Sequence, residues 1–157
     1  MAEAEILLVE DNPDDLELAL DAFRRTPQPA RLTVARDGVE AIEALFGPGG
    51  GKPGGALRFV PRLVLLDLKL PRMDGLEVLQ RIKFNAASRP IPVVILTSSS
   101  QERDISESYR LGANSYIVKP VDFGAFLQTV QALCTYWLIH NRAAGHGSAA
   151  GAFPPAA

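Results

Sequence analysis

Short aliphatic runs alternate along the chain with longer segments in which apolar residues recur every three or four positions. The short runs have the length of buried strands, and the longer segments have the period of amphipathic helices. Strands that alternate with helices predict an α/β fold with a parallel sheet. We predict strands over residues 5–10, 32–35, 62–67, 93–97 and 115–118.

Local signals predict where the helices begin and end. Asn12 followed by Pro13 predicts the start of the first helix, because asparagine caps a helix and proline fits its first turn. Pro27 predicts the end of that helix, and Gly112 predicts the end of the fourth. The second helix has an apolar face from Val39 to Phe46, and the later helices are predicted over residues 76–85, 102–111 and 123–141.

Right-handed crossovers arrange these elements most simply as a doubly wound, flavodoxin-like sheet of five parallel strands in the order 2-1-3-4-5, with five helices. We assign residues 1–142 to one domain, because a chain of 157 residues can bury one sizeable core. Residues 143–157 are almost all Ala, Gly and Pro, which predicts a flexible tail. A Gly- and Pro-rich loop, residues 47–56, precedes the third strand, and the pattern does not indicate its role.

Composition narrows the function classes and the compartment. The 16 basic and 18 acidic residues give a net charge of −2, which indicates no general affinity for nucleic acids or anionic membranes. The single cysteine, Cys134, cannot form an intrachain disulfide, which suits a reducing compartment. The acidic N-terminus is not typical of a signal peptide, and no apolar run has transmembrane length. We therefore expect a soluble cytoplasmic protein.

Polar residues follow four of the predicted strands: Glu10 and Asp11, Asp67, Thr97, and Lys119. In an open parallel sheet, ligands bind outside the carboxyl ends of the strands, near the point where strand order reverses. Three carboxylates pressed together repel each other and favour a hard cation such as Mg²⁺. Asp67 is the natural nucleophile because carboxylates form aspartyl phosphates, and Thr97 and Lys119 would bind the transferring oxygens. The sequence therefore predicts a phosphoryl-transfer site.

Four motifs carry a resemblance to a known family: Val9-Glu10-Asp11, the stretch from Asp67 to Gly75, Leu96-Thr97-Ser98, and the stretch from Tyr116 to Pro120. In this order and at strand ends, they resemble the response-regulator receiver domains of two-component signalling. The resemblance covers roughly residues 4–142. The family usually has two aspartates at the first acidic position, where this chain has Glu10 in place of one. A glutamate can still reach a metal through water.

The resemblance implies the chemistry of the site. Asp67 would take a phosphoryl group from the phosphohistidine of a histidine kinase. Mg²⁺ would be held by Asp11, Asp67 and the backbone carbonyl of Lys69, with Glu10 acting through water. Lys69 and Ser99 lie where such domains tune the lifetime of the phosphorylated state.

The resemblance also implies a conformational switch formed by Thr97 and Tyr116. The threonine hydroxyl would move toward the phosphoryl group, and the tyrosine ring would turn into the vacated space, shifting a two-state equilibrium. Lys119 and Pro120 are expected to be joined by a cis peptide, as is typical of the family.

Two other functions are alternatives to a phospho-accepting switch. A phosphatase of the haloacid-dehalogenase type also uses an aspartate nucleophile, but that class needs a second aspartate two residues later, where this chain has Lys69. A degenerate receiver would bind proteins only, but Asp67, Thr97 and Lys119 are all present. We therefore predict a signalling switch rather than a conventional enzyme, although it would take part in its own phosphorylation and dephosphorylation.

Partners are indicated by the end of the last helix. The long approach to the third strand, Asn12-Pro13 and Tyr136-Trp137-Leu138 resemble the single-domain regulators that partner bacterial phytochromes. Because the apolar run from Tyr136 to Ile139 passes around the helix, part of it must face outward, which usually marks an interface. We predict a homodimer through the last helix and the tail. The alternative is that the tail folds back over this patch.

Overall fold

The sheet has the predicted order. The computed structural model describes residues 4–28, 30–50 and 55–144. In this part of the chain, five parallel strands form one sheet in the order β2-β1-β3-β4-β5. The strands are β1 (Ala4–Val9), β2 (Ala30–Ala35), β3 (Leu63–Leu66), β4 (Val93–Thr97) and β5 (Ser115–Val118). The predicted flavodoxin-like fold is confirmed, and the strand order reverses between β1 and β3.

The helices alternate with the strands, and most begin at a capping side chain. They are α1 (Pro13–Arg24), α2 (Gly38–Phe46), α3 (Gly75–Lys83), α4 (Glu102–Arg110) and α5 (Phe123–Cys134). Asn12 caps α1 as predicted, and Asp37, Asp74 and Asp122 cap α2, α3 and α5 by accepting backbone N–H groups. These caps start each helix shortly after a strand, which keeps the connections at the carboxyl edge of the sheet short.

The core lies on both faces of the sheet because successive strand residues point to opposite sides. On one face, Leu7, Val64 and Leu66 pack with α2 and α3 residues such as Ile42 and Leu79. The other face packs against α1 and α5, and its buried residues include Ile6, Leu8, Leu65, Leu16 and Phe126. The central strands are therefore mostly apolar, and their polar residues lie toward the strand ends.

The last helix differs from the prediction of one continuous helix over residues 123–141. The α-helix ends at Cys134 and continues as a π-helical segment, Thr135–His140. The wider turn is closed by the N–H of Asn141, which donates to the carbonyl of Tyr136 at 2.6 Å. Arg62, just before β3, donates from Nη2 to the carbonyls of Trp137, Leu138 and Asn141 at 3.4, 3.3 and 3.4 Å. This long-range cation satisfies carbonyls that the helix end leaves free.

The apolar run at this helix end divides between the core and the surface. Trp137 and Leu138 pack against the core, whereas the side chains of Tyr136 and Ile139 are exposed. Cys134 is buried in the core, and burial raises the pKa of its thiol to about 11.

Parts of the predicted loop and tail lie outside the described residues, namely 51–54 and 145–157. Within the described part of the chain, no helix combines the length and apolar character that crossing a bilayer requires.

Candidate functional site

The acidic residues that follow β1 and β3 meet at the carboxyl edge of the sheet. The β1–β3 register pairs Val9 with Leu66, and the N–H of Asp67 donates to the carbonyl of Val9 at 3.1 Å. Carboxylate oxygens of Glu10, Asp11 and Asp67 all lie within 4.8 Å of one another. The predicted convergence of these three side chains is present in the structure.

Lys119 joins this group from the end of β5. Its ammonium donates to Glu10, to Oδ2 of Asp67 at 3.0 Å and to Oδ2 of Asp15 at 3.2 Å. The N–H of Lys119 donates to the carbonyl of Thr97 at 2.7 Å, which fixes the residue beside the end of β4. Asp15 was not predicted as a site residue. The helix dipole alone explains an acidic residue in the first turn of α1, so no separate signal marked Asp15 as a site residue.

Burial and charge act against each other in this cluster. Burial alone would lower the pKa of Lys119, but the hydrogen bond with Glu10 and the charges of Asp67 and Glu10 outweigh it and raise that pKa. Burial raises the pKa of the Glu10 carboxyl to about 7 despite its bond to Lys119. Lys119 therefore stays charged at neutral pH, and the buried Glu10 carboxyl takes up a proton well above its ordinary range.

The Asp67 and Glu10 carboxylates are oriented by backbone groups as well as by Lys119. Oδ1 of Asp67 accepts from the N–H of Leu68 at 2.7 Å and, more weakly, from the N–H of Lys69 at 3.4 Å. Oε2 of Glu10 accepts from the N–H of Asn12 at 3.1 Å. Asp67 and Glu10 are buried, whereas Asp11 is exposed. The Asp67 carboxylate is thus fixed in place, while the Asp11 side chain stays open to solvent.

Thr97 and Tyr116 both contact Ser99, in the loop between β4 and α4. Oγ1 of the buried Thr97 accepts from the N–H of Ser99 at 3.5 Å, and the hydroxyl of Tyr116 donates to the carbonyl of Ser99 at 2.8 Å. Burial raises the pKa of Tyr116, so its hydroxyl stays protonated and able to donate. The hydroxyl of Ser99 in turn donates to Oδ2 of Asp104, on α4, at 2.5 Å. The two predicted switch residues are therefore linked through one loop residue.

The peptide between Lys119 and Pro120 differs from the expectation, because it is trans in the structure. Trans is the intrinsically favoured isomer, by about 0.5–1 kcal/mol for a bond that precedes proline.

The residues present fit a hard divalent cation. Carboxylate oxygens are the ligands that Mg²⁺ and related ions prefer, and three of them converge here from two strand ends. A cavity of about 150 Å³, lined in part by Glu10, Asp15, Asp67 and Lys119, adjoins them. It is several times the roughly 30 Å³ that a water molecule occupies in the liquid. The site can therefore accommodate a small anion beside the carboxylates.

Comparison with known proteins identifies the family. The model of the response regulator receiver domain matches residues 6–131. The chain belongs to this family. Among curated relatives, the receiver is 43% identical over 141 residues to the "Probable methanogenesis regulatory protein FilR2" of Methanothrix harundinacea, covering 89% of this chain and 87% of the relative. It is 38% identical over 133 residues to the response regulator Rcp1 of Synechocystis sp., covering 85% and 88%.

Solved structures similar to the receiver include regulators of phytochromes. The phosphorylated cyanobacterial phytochrome response regulator RcpA superposes with a TM-score of 0.81 at 36% identity, covering 90% of this chain and 99% of that one. The Mn²⁺-bound form of Rcp1 has a TM-score of 0.77 at 35% identity, covering 89% and 98%. The bacteriophytochrome response regulator AtBRR has a TM-score of 0.67 at 47% identity, covering 90% and 100%. The receiver is therefore a homologue of phytochrome response regulators.

Proposed function

We propose that Asp67 of this receiver accepts a phosphoryl group from the phosphohistidine of a sensor histidine kinase. A carboxylate oxygen of Asp67 forms the new bond to phosphorus, while the bond from phosphorus to the imidazole nitrogen breaks and its electron pair stays on the histidine. The observation that carries the proposal is the position of the Lys119 ammonium, 3.0 Å from Oδ2 of Asp67 and in contact with Glu10. This cation is placed to offset the charge that arrives with the phosphoryl group.

The metal ligands of the proposed site are Asp11, Asp67 and the backbone carbonyl of Lys69, with Glu10 acting through water. Mg²⁺ bound there would supply positive charge to the oxygens of the transferring group. The convergence of the three carboxylates supports this assignment, as does the Mn²⁺-bound form of the homologous Rcp1. The carboxylates of Glu10 and Asp67 also hold Lys119, so the same acidic group orients the cation and the metal.

The proposed switch begins at Thr97, whose hydroxyl moves toward the phosphoryl group. That movement weakens its contact with the N–H of Ser99 and loosens the loop between β4 and α4. Tyr116 then gives up its 2.8 Å bond to the carbonyl of Ser99 and its ring turns inward. The output is a changed surface around α4 and β5.

Phosphorylation by a small donor tests this function and separates the alternatives. The receiver is incubated with Mg²⁺ and acetyl phosphate, and its intact mass is measured. We expect a gain of one phosphoryl group, which Asp67→Asn abolishes and Asp74→Asn does not, because Asp74 only caps α3. Turnover of added phosphomonoesters would instead indicate a phosphatase. A protein that shows neither would be a degenerate receiver, and the proposal would be wrong.

The proposed kinase is a bacterial phytochrome, on the strength of the homology to RcpA and AtBRR. Transfer from an autophosphorylated bacteriophytochrome is compared with transfer from an unrelated sensor kinase at equal concentrations. Faster transfer from the phytochrome supports the pairing. Equal or slower transfer contradicts it and leaves room for another input, as the name of the relative FilR2 suggests.

We further propose that a second copy of the chain covers the apolar patch formed by Tyr136 and Ile139, whose exposed fractions are 50% and 53%. An exposed aromatic and an exposed aliphatic side chain on one helix end are typical of an interface. Sedimentation at high micromolar concentration tests the homodimer, with Tyr136→Glu as the disrupting variant. A wild-type monomer, whether phosphorylated or not, would contradict it.

The remaining proposals concern the boundary of the domain, its cellular location and the activities that it lacks. We propose a receiver of residues 1–142 with a dispensable tail, acting in the cytoplasm as a switch and not as a conventional enzyme, without binding nucleic acid. A chain that ends at Arg142 should take up phosphoryl from acetyl phosphate at the wild-type rate. A slower rate would place part of residues 143–157 in the functional domain. A DNA gel-shift experiment tests the absence of nucleic-acid binding, and cell fractionation tests the cytoplasmic location.

A further inference from the structure

The loop between β3 and α3, residues 68–74, carries groups that the site depends on. Leu68 is buried and Leu70 and Met73 pack against the core, but the rest of the loop is open to solvent. Lys69, Pro71 and Arg72 are exposed. The same loop supplies the N–H groups of Leu68 and Lys69 that hold Oδ1 of Asp67. The exposed residues between these apolar contacts need a further restraint to keep the donors in place.

Arg72 links this loop to the start of α2. Its Nε donates to Oδ2 of Asp37 at 2.9 Å, and its Nη2 donates to Oδ1 of Asp37 at 3.1 Å. Such a two-bond pairing fixes direction as well as distance. Arg72 also has φ of 65°, a left-handed backbone conformation that costs energy in a residue other than glycine. The surrounding contacts must therefore hold it there.

The Asp37 carboxylate is itself held in place by its surroundings. It is buried, and its Oδ1 also accepts from the N–H of Glu40 at 2.8 Å as the cap of α2. Burial alone would raise the pKa of the Asp37 carboxyl, but the hydrogen bonds from Arg72 and Glu40 outweigh it and hold the pKa below its ordinary value. Asp37 is therefore ionised throughout the neutral range.

A second contact lies beside this ion pair. A Cβ atom added to Gly38 would lie 2.0 Å from the carbonyl oxygen of Met73, so the loop backbone packs directly on the first turn of α2. The N–H of Met73 also donates to the carbonyl of Pro71 at 2.7 Å, which makes a tight turn around Arg72. Two neighbouring residues of α2 thus hold two neighbouring residues of the loop.

We propose that Arg72 and Asp37 form a positioning clamp that holds the loop after the phosphoacceptor and thereby sets the affinity of the site for Mg²⁺. The clamp fixes the backbone of Leu68 and Lys69, which includes the N–H groups on Asp67 and the Lys69 carbonyl assigned to the metal. Neither residue is a metal ligand. The inference rests on the proposed metal site and adds to it an ion pair on the other side of the loop.

Three variants separate the loss of the ion pair from the effects that each substitution has on backbone strain and on the cap of α2. Arg72→Ala removes the guanidinium, and Arg72→Gly removes it while relieving the backbone strain. Asp37→Ser breaks the pair but keeps a capping oxygen for α2. The control is Arg81→Ala, which removes an exposed ion pair with Glu77 (3.0 Å) on α3, outside the loop.

Two readouts are measured on the full chain, both without a phosphodonor. The first is the dissociation constant for Mg²⁺ by titration, and the second is amide hydrogen exchange of Leu68 and Lys69 in metal-free protein. We expect Mg²⁺ binding about tenfold weaker and faster exchange in all three variants, but not in Arg81→Ala. The double variant Arg72→Ala/Asp37→Ser should bind no more weakly than either single variant, because both remove the same link.

Affinities and exchange rates that match the control in the Arg72 and Asp37 variants would overturn the clamp. Wild-type affinity in Arg72→Gly would also overturn it, since the backbone strain that remains in Arg72→Ala, and not the loss of the ion pair, would then explain the effect of that variant. If the wild-type protein binds no Mg²⁺, the proposed metal site and the effect of the clamp on affinity are both wrong. The metal-free exchange rates then show separately whether the pair holds the loop.

Discussion

The Nζ atom of Lys119 lies 3.0 Å from Oδ2 of Asp67, and the two side chains are only 10% and 11% exposed. At this burial, attraction between the charges is screened far less than on the surface. The same ammonium reaches Glu10 and Asp15, so one cation faces carboxylates from three different elements. Lys119 is therefore the cation that these three carboxylates share.

Lys119→Gln is expected to slow phosphorylation of Asp67 by acetyl phosphate about a hundredfold. The glutamine keeps most of the side-chain size but leaves the carboxylates without their cation, so the incoming phosphoryl group meets uncompensated negative charge. The rate is measured by intact mass against time at saturating Mg²⁺. Arg81→Gln is the control, because Arg81 pairs with Glu77 on the exposed side of α3. A rate within about threefold of wild type would remove Lys119 from the mechanism.

Gly75→Ala is expected to destabilise the protein by about 1–3 kcal/mol and to slow phosphorylation. The added Cβ would lie 2.2 Å from the carbonyl oxygen of Asp67 and 2.6 Å from Cα of Leu68, so the backbone at Asp67 must move. Chemical denaturation and the acetyl phosphate assay measure the two effects.

Gly124→Ala provides the matched control, because its Cβ would meet only the Asp122 carboxylate, at 3.1 Å. This second alanine, in α5, should leave phosphorylation unchanged. If Gly75→Ala phosphorylates as fast as Gly124→Ala, close packing under Asp67 does not matter for the chemistry.

Lys83 should make stability depend on pH. Its ammonium donates to the carbonyls of Arg89 and Ile91 and to Oδ1 of Asn114 at 3.0, 2.7 and 2.9 Å, and burial lowers its pKa to about 8. Between this value and the ordinary pKa of 10.5, the unfolded chain binds more protons than the folded one. The free energy of unfolding should therefore rise with pH across this window, by up to about 3 kcal/mol from this group.

Lys83→Met is the comparison, measured by urea denaturation at pH 7.5 and pH 10 (roughly either side of the pKa of a buried lysine). The variant should be less stable than wild type at both values, because it leaves the carbonyls of Arg89 and Ile91 without a donor, whereas Oδ1 of Asn114 keeps the N–H of Val93. The difference should be larger at the higher pH. If the difference in stability is the same at both pH values, the three acceptors keep the pKa of the Lys83 ammonium in the folded protein near its value in water.

Tyr116→Phe should lower the free energy of unfolding by about 1 kcal/mol and loosen the loop between β4 and α4. The variant loses the bond from the Tyr116 hydroxyl to the carbonyl of Ser99. Amide exchange of Ser99 and Gln101 should accelerate before phosphorylation and change less upon it, since part of the constraint is already gone. Tyr109→Phe, at an exposed tyrosine of α4, is the control. Equal responses of the two variants would exclude Tyr116 from the switch.

The alternation of apolar runs and amphipathic segments predicted an α/β fold with a parallel sheet, because buried strands and covering helices impose different periods on the sequence. The preference for right-handed crossovers then predicted the order of the strands. The helix start at Asn12 was also predictable, since capping acts over three residues. The grouping of Glu10, Asp11 and Asp67 followed from topology, which brings the ends of β1 and β3 to one edge.

Other features depend on contacts between residues far apart in the chain. The π-helical end of the last helix is stabilised by Arg62, more than 70 positions away, so helical periodicity alone predicted one continuous helix. The motif also predicted the wrong isomer of the Lys119–Pro120 peptide, because the energy difference between the isomers is small enough for local packing to decide.

The sequence by itself determined the fold and which polar residues lie at the strand ends, because both depend on local spacing and residue type. Only the tertiary structure decided how those residues are held: Asp15 against Lys119, Ser99 between Thr97 and Tyr116, and Asp37 against Arg72. Each of these bonds depends on a distance of about 3 Å between side chains or loops, and spacing along a chain does not specify such distances.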